Sequence, residues 1–272
     1  MAISAANARN EVMAGLANGP DRVVIDKASM SNAVAGQMMS LWRATGLPGQ
    51  GAIPTSAAVC TKALVGAMGF TNQTNPVTNY LGWAWMAVAN AGAPCERHDR
   101  LAHMGGLSGT VTTAQGALTV VGVSADRIGA TNYSDVQWAL EWYADTGATA
   151  SNATVNVTYN DDTTGNLAVI AVGGTIRAGR WIPLISAKAG FFIKAVNSVT
   201  LSASTATAGN FGITASRSKA VTYGTIANQP REFDWAALGL PHFPNDACIF
   251  NVMVCTTTST GIVRGHGKII HV

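Results

Sequence analysis

From Tyr80 onward, apolar and polar positions alternate with the period of an extended strand. The runs Tyr80-Leu-Gly-Trp-Ala-Trp-Met-Ala-Val88, Leu118-Thr-Val-Val-Gly-Val123 and Val136-Gln-Trp-Ala-Leu-Glu-Trp-Tyr143 are strand-length, apolar and bounded by turn residues. In the last of them Val136, Trp138, Leu140 and Trp142 fall on one face, with Gln137 and Glu141 on the other. A period of two sends those tryptophans into a core. The alternation recurs over residues 152–160, 167–172, 180–185, 191–194, 196–204, 210–216, 248–255 and 262–272. Turns such as Asn160-Asp-Asp-Thr-Thr-Gly165 and Thr258-Ser-Thr-Gly261 join several of these runs. Many short strands with few helical gaps predict an all-β fold, an antiparallel β-sandwich of jelly-roll or similar Greek-key type.

Before Tyr80 the period changes. From Ile3 to Thr45 the pattern is helical: Ser31 or Asn32 can serve as an N-cap, and Val34, Met38, Leu41 and Trp42 share one helical face. The stretch Gly46-Leu-Pro-Gly-Gln-Gly-Ala-Ile-Pro54 cannot continue a helix and reads as an extended connector. Residues 1–79 therefore read as an N-terminal arm of short helices and irregular segments, and residues 80–272 as the β-sandwich domain. The arm carries Met13, Leu16, Met38, Trp42, Leu64, Met68 and Phe70, more apolar side chains than a solvated linker needs. Such an arm lies either on its own β-domain or on a neighbouring subunit.

Composition sharpens this picture. Only 11% of the 272 residues are charged, against roughly 25% in an ordinary soluble domain. The chain has given up much of the charge that keeps free proteins apart, which suits a protein packed against others. The 17 basic and 14 acidic residues give a net charge of +3 and form no Lys/Arg cluster that could track a phosphate backbone, so nucleic acid is not an expected partner. The N-terminus has no basic segment followed by an apolar one, as a secretory signal would, and no apolar run reaches the ~18 residues of a membrane span. Synthesis in a cytoplasm, with no membrane partner, is expected. The cysteines Cys60, Cys95, Cys248 and Cys255 show no CxxC spacing and read as buried free thiols, the alternative being inter-subunit disulfides.

The densest polar cluster is Cys95-Glu-Arg-His-Asp-Arg100 with His103. A zinc site would draw on Cys95, His98 and His103. In a regular strand, however, His98 and His103 point to opposite faces, so the cluster reads instead as a charged strand edge making salt bridges or inter-subunit contacts. No Gly-x-Ser-x-Gly frame, calcium loop or phosphate-loop lysine occurs, and no catalytic residue, metal or cofactor is expected. Arg177 and Arg180 are placed at a strand edge, where they could reach carboxylates of a partner. Outward-facing aromatics such as Trp83, Trp85 or Trp181 would suit stacking on sugars.

Three blocks resemble a family of virion structural proteins from tailed bacteriophages. They are Ser40-Leu-Trp-Arg-Ala-Thr-Gly-Leu-Pro-Gly-Gln-Gly-Ala-Ile-Pro-Thr55; Asp99-Arg-Leu-Ala-His-Met-Gly-Gly-Leu-Ser-Gly-Thr110 with Thr112-Thr-Ala-Gln115; and Leu140-Glu-Trp-Tyr-Ala-Asp-Thr-Gly-Ala-Thr149 with Val199-Thr-Leu-Ser-Ala-Ser-Thr-Ala-Thr-Ala-Gly209. The resemblance implies a capsid-associated or other virion component made in the host cytoplasm. The reading drawn from it is a decoration or cement protein on the outside of the head, a homotrimer bound to the major capsid protein. Met38, Leu41, Trp42 and the Pro48/Pro54 connector are its candidate anchors, with Arg177 and Arg180 as further partner contacts. A neck or tail component and a host-glycan-binding module are the alternatives, and no lysozyme, peptidase or depolymerase signature accompanies the blocks.

Overall fold

The computed structural model describes residues 8–17, 21–72 and 78–271. Strands dominate, every strand pairing is antiparallel, and the all-β class read from the sequence holds. A five-stranded sheet has the order β15 (Arg231–Asp234), β5 (Asn79–Val88), β17 (Val263–His271), β1 (Asp21–Lys27) and β3 (Gly46–Leu47). A second sheet runs β10 (Thr164–Asn166), β9 (Asn152–Tyr159), β13 (Ile193–Leu201) and β7 (Leu118–Thr119), with β11 (Ile170–Ala171) also on β9. The third contains β14 (Phe211–Tyr223), β8 (Gln137–Trp142), β12 (Arg180–Leu184), β2 (Met38–Ser40), β16 (Ile249–Val254), β6 (Pro94–Leu107) and β4 (Ala58–Val59). Three short helices occur among the described residues: α1 (Ala8–Ala17), α2 (Ala125–Ile128) and α3 (Trp235–Leu238).

The third sheet closes on itself. β14 pairs with β8 along one edge and with β6 along the other, so β14, β8, β12, β2, β16 and β6 form a continuous ring, and β4 adds to β6 outside that circuit. Closure removes the edges that an open sheet must protect.

The cores show how the layers stack. One apolar cluster joins Val155, Val157, Val196 and Val199 of the second sheet to Trp138, Leu140, Trp142, Phe211 and Ile213 of the ring. Another joins Ile25, Leu81, Met86 and Ile269 of the five-stranded sheet to Cys95, Ile249 and Met253 of the ring. The barrel is therefore the middle layer, with a sheet on either side. Its interior holds a third cluster, Trp42, Cys60, Ala139, Trp181, Cys248, Phe250 and Val252. The period-two face of Val136, Trp138, Leu140 and Trp142 is buried as the alternation requires, and the opposite face of β8 turns Ala139 and Glu141 into the barrel rather than to water.

The N-terminal arm is a correction. β1 lies between β17 and β3, β2 lies between β12 and β16, and β4 lies on β6, so the first 79 residues supply strands to two sheets and the 79/80 boundary does not separate independent units among the described residues. The helix read across Val34, Met38, Leu41 and Trp42 is absent: Asn32 and Gly36 adopt positive φ, Val34 is exposed, and Met38–Ser40 is the strand that completes the barrel. Those four residues match a helical face only by coincidence. Two unfilled strand edges, on β12 and β16, override the local preference.

Candidate functional site

The cluster around Cys95 to His103 lies on β6, the strand at the centre of the barrel wall, paired with β14 on one side and with β16 and β4 on the other. It is not a sheet edge. Arg97, His98, Asp99, Arg100 and His103 are all buried. A bulge explains how His98, Arg100 and His103 come to share the interior. Ala102 pairs with Ala215 and Arg100 with Ser216, leaving Leu101 unmatched, and that extra residue turns His103 back to the side of Arg100. Leu101 points outward into the apolar layer.

Arg100 is the hub. Its Nη2 donates to Glu141 Oε1 at 3.0 Å and lies 2.8 Å from Oε2, and its Nη1 lies 3.2 Å from both His103 Nδ1 and Thr214 Oγ1. Thr214 Oγ1 donates to Glu141 at 2.9 Å, and Tyr143 Oη lies 2.8 Å from His103 Nε2 and 3.2 Å from Glu141. Because Nδ1 faces a guanidinium donor, the fitting tautomer of His103 carries its proton on Nε2. The guanidinium carbon also sits 4.4 Å from the ring centroids of Trp42 and Phe250, between two aromatic walls.

Electrostatics keep this network in one charge state. Burial pulls the Arg100 pKa down, and the Glu141 carboxylate outweighs it, leaving the guanidinium firmly charged. Burial, assisted by the Arg100 charge, holds His103 well below the usual histidine range, so it is neutral. Burial and the Glu141 charge push the Tyr143 phenol well above its ordinary value.

A second ion pair braces the barrel. Arg127 of α2 meets Asp99 with two bonds, Nε to Oδ2 at 2.9 Å and Nη2 to Oδ1 at 2.6 Å, and also donates to the carbonyls of Cys60 and Arg100. The backbone N–H of Cys248 donates to the same Asp99 carboxylate at 2.8 Å, so one carboxylate joins β6, α2 and the start of β16. At the far end of the charged run His98 lies between Ser216 and Glu96, and the hydrogen bond from His98 lowers the Glu96 pKa. The Arg100–Glu141 and Arg127–Asp99 pairs neutralise each other's charges out of reach of solvent. The arrangement acts as an internal clamp between strands.

Among the described residues no three of His, Cys, Asp and Glu are grouped to hold a metal ion. Cys95 points away from the histidines, into the layer under the five-stranded sheet. All four thiols are free and buried, and burial pushes Cys60 and Cys255 up to about 11 and Cys95 up to about 12. No helix among the described residues is long and apolar enough to cross a membrane.

The anchors expected from the sequence fall inside the fold. Leu41 and Trp42 are each 1% exposed, Leu41 under the five-stranded sheet and Trp42 in the barrel interior, where Met38 also packs. They are core residues, not partner contacts, because β2, which completes the protein's own barrel, leads directly into them. Pro48 and Pro54 are half-buried in a loop folded round Trp42: the indole Nε1 donates to Ala52 O at 2.7 Å, Gly51 N donates to Trp42 O at 2.8 Å, and Lys27 Nζ binds the carbonyls of Ala44, Pro48 and Gly49. Arg177 is on the surface, paired with Asp145 at 2.8 Å. Arg180 is half-buried and spans β12 and β2, its Nη1 3.4 Å from Met38 O. The structure does not bring these seven residues into one patch. Of the three candidate stacking tryptophans, Trp181 is buried in the barrel, whereas Trp83 and Trp85 are half-buried on the outward face of β5.

Sequence reasoning missed Glu141 and Arg127 as partners of the β6 cluster. Period-two patterning did place Glu141 opposite a buried face, and a lone carboxylate between two tryptophans was the available signal.

No family model matches the chain, and no curated protein matches it. Among solved structures it has a likeness to the infectious bursal disease virus Gx strain, at 10% identity over 97% of this chain and 85% of that one, with a TM-score of 0.18. The VP2 subviral particle of infectious bursal disease virus gives 12% identity over 97% and 86%, with a TM-score of 0.17. At such TM-scores nothing about the role of this chain follows from the likeness, and the tailed-phage resemblance is carried by the sequence blocks alone.

Proposed function

We propose that this chain is a virion structural protein, and specifically a decoration or cement protein that binds the outer surface of a tailed-phage head as a homotrimer and bridges coat subunits. The observation that carries the proposal is where the scarce charge is placed. Lys27, Arg97, Asp99, Arg100, Arg127 and Glu141 are all buried, although the chain has only 17 basic and 14 acidic residues. Six of the 31 charges are thus withdrawn from the surface, and Val121, Ile185, Val65 and Val169 stand 80, 74, 64 and 62% exposed on it. Such a surface favours association over free solution.

The densest chemistry is spent on holding strands together, which fits a structural part and gives no support to turnover. The mechanism is thermodynamic: a protein that binds only the assembled shell shifts that shell away from rupture by mass action. With Met38, Leu41 and Trp42 internal, contact falls to exposed elements such as the connector, where Leu47 is 58% exposed.

Quantitative mass spectrometry of purified particles tests this. About one copy per major coat subunit is the expected result. A few copies per particle would transfer the protein to the neck or tail, and its absence from particles would overturn the virion reading.

A further inference from the structure

The outward face of the five-stranded sheet carries a second set of convergent side chains that the barrel clamp does not use. Its register places Asp234 and Lys268 on either side of Trp83, and Glu232 and His266 on either side of Trp85. Both indoles are backed by a neighbour: His266 stacks on Trp85 with centroids 5.3 Å apart and planes at 25°, and Lys268 Nζ lies 5.1 Å from the Trp83 ring centroid. Two hollows, of about 430 and 200 Å³, adjoin across Trp85.

The larger hollow is walled by Trp85, Ile262 and Pro230 and edged by Asn228, Glu232 and Arg264. The Glu232 side chain is exposed and makes no hydrogen bond or ion pair among the described residues. Among the described residues the Arg264 side chain bonds through its Nε alone, to Asp26 at 3.3 Å, which leaves both Nη groups open.

We propose that this face binds an uncharged oligosaccharide, one sugar ring lying against the Trp85 indole. The flat apolar wall matches the C–H face of a pyranose, while the Glu232 carboxylate, the Arg264 guanidinium and the Asn228 amide offer acceptors and donors for its hydroxyls. The larger hollow falls within the ~300–1,000 Å³ range of small-molecule sites, and the smaller one beyond Trp85 extends the groove to a neighbouring unit. A polyanion fits poorly, because Asp26, Glu232 and Asp234 stand among Arg22, Arg264 and Lys268 and break any continuous positive track. The site does not depend on the virion reading.

The test applies the intact protein to an array of neutral oligosaccharides, with heparin as a polyanion control. Saturable binding to a subset of the neutral glycans is expected, weakened about tenfold or more in Trp85→Ala and in Glu232→Gln, and unchanged in Lys188→Ala, beside the opposite sheet. Glu232→Gln alters an exposed, unpartnered group, so it reports on the site even if Trp85→Ala fails to fold. Absence of neutral-glycan binding, or binding that survives Glu232→Gln in a folded protein, overturns the proposal, as does capture by heparin alone that salt abolishes.

Discussion

Arg100 and Glu141 face each other across the interior of the barrel, joined by a hydrogen bond and a 2.8 Å ion-pair contact from one guanidinium nitrogen, and each is less than 2% exposed. β6 and β8 are not neighbours in the ring, since β14 lies between them on one side. The pair therefore ties together strands that share no backbone hydrogen bonds. It fixes the cross-section of the barrel in a way that apolar filling does not.

Removing one partner strands the other. Glu141→Leu leaves a charged guanidinium in the barrel and is expected to cost about 3–5 kcal/mol, whereas Arg100→Met combined with Glu141→Leu should cost clearly less than the single change. Urea unfolding of the two variants beside the natural chain measures this. Equal losses in the single and double variants would show that the pair contributes through packing rather than charge.

The loop round Trp42 makes a steric prediction. A Cβ on Gly51 would lie 2.0 Å from Trp42 Cε2, inside the indole, so Gly51→Ala must displace the ring or the loop. Overpacking of this kind costs ~1–3 kcal/mol. Gly49 sits in the same connector with open space at its Cβ position. Gly49→Ala should change the thermal midpoint little, and the contrast between the two variants is the readout.

These two cases mark what the sequence could and could not reveal. The alternation in β5, β8 and β9 was legible because each buries one side against a separate apolar layer. The connector was legible as a break in helix, but its role as a collar on Trp42 was not, because a glycine chosen for close approach looks like one chosen for a turn. Barrel closure was hidden for a different reason. It depends on three residues of β2 and on the bulge at Leu101, and neither leaves a periodic trace. The same bulge defeated the parity argument that set His98 and His103 on opposite faces.

His103 makes stability depend on pH. Its folded pKa is depressed below the ordinary histidine value by burial and by Arg100, so below about pH 6.5 the unfolded chain takes up a proton that the folded chain refuses. Stability is then lost as pH falls from that value toward the folded pKa. Glu96, whose pKa is lowered mainly by its bond to His98, adds a loss in the same direction at more acid pH. Unfolding free energies between pH 7.5 and 4.5 should fall for the natural chain and fall less steeply for His103→Gln. Parallel curves would remove His103 as the cause.

Four buried thiols with raised pKa values should be inert in the native protein. Native protein at pH 8 is expected to leave all four unreacted with a thiol reagent over minutes, and denatured protein to titrate all four at once. Fast labelling of Cys255 or Cys60 in the folded state would contradict their placement in the interior.

Arg97 poses the opposite problem from Arg100. It faces Asn251 across the β6–β16 pair, under the five-stranded sheet, and is 1% exposed. Among the described residues its Nε and Nη2, and both side-chain amide atoms of Asn251, have no hydrogen-bond partner, and its one side-chain hydrogen bond there is a long 3.5 Å approach to Thr222. Burial accordingly lowers its pKa. A guanidinium held this way costs stability, since neither a carboxylate nor a full set of acceptors offsets its desolvation. Arg97→Met keeps the length of the side chain and removes the charge, and it should raise the unfolding free energy by about 1–3 kcal/mol. Asn251→Leu in the same background should add to the gain, because the amide then has no polar neighbour to lose. Urea denaturation of the single and double variants checks the sign. A loss of stability in Arg97→Met would mean that the guanidinium contributes more as a packed, polar group than its isolation costs.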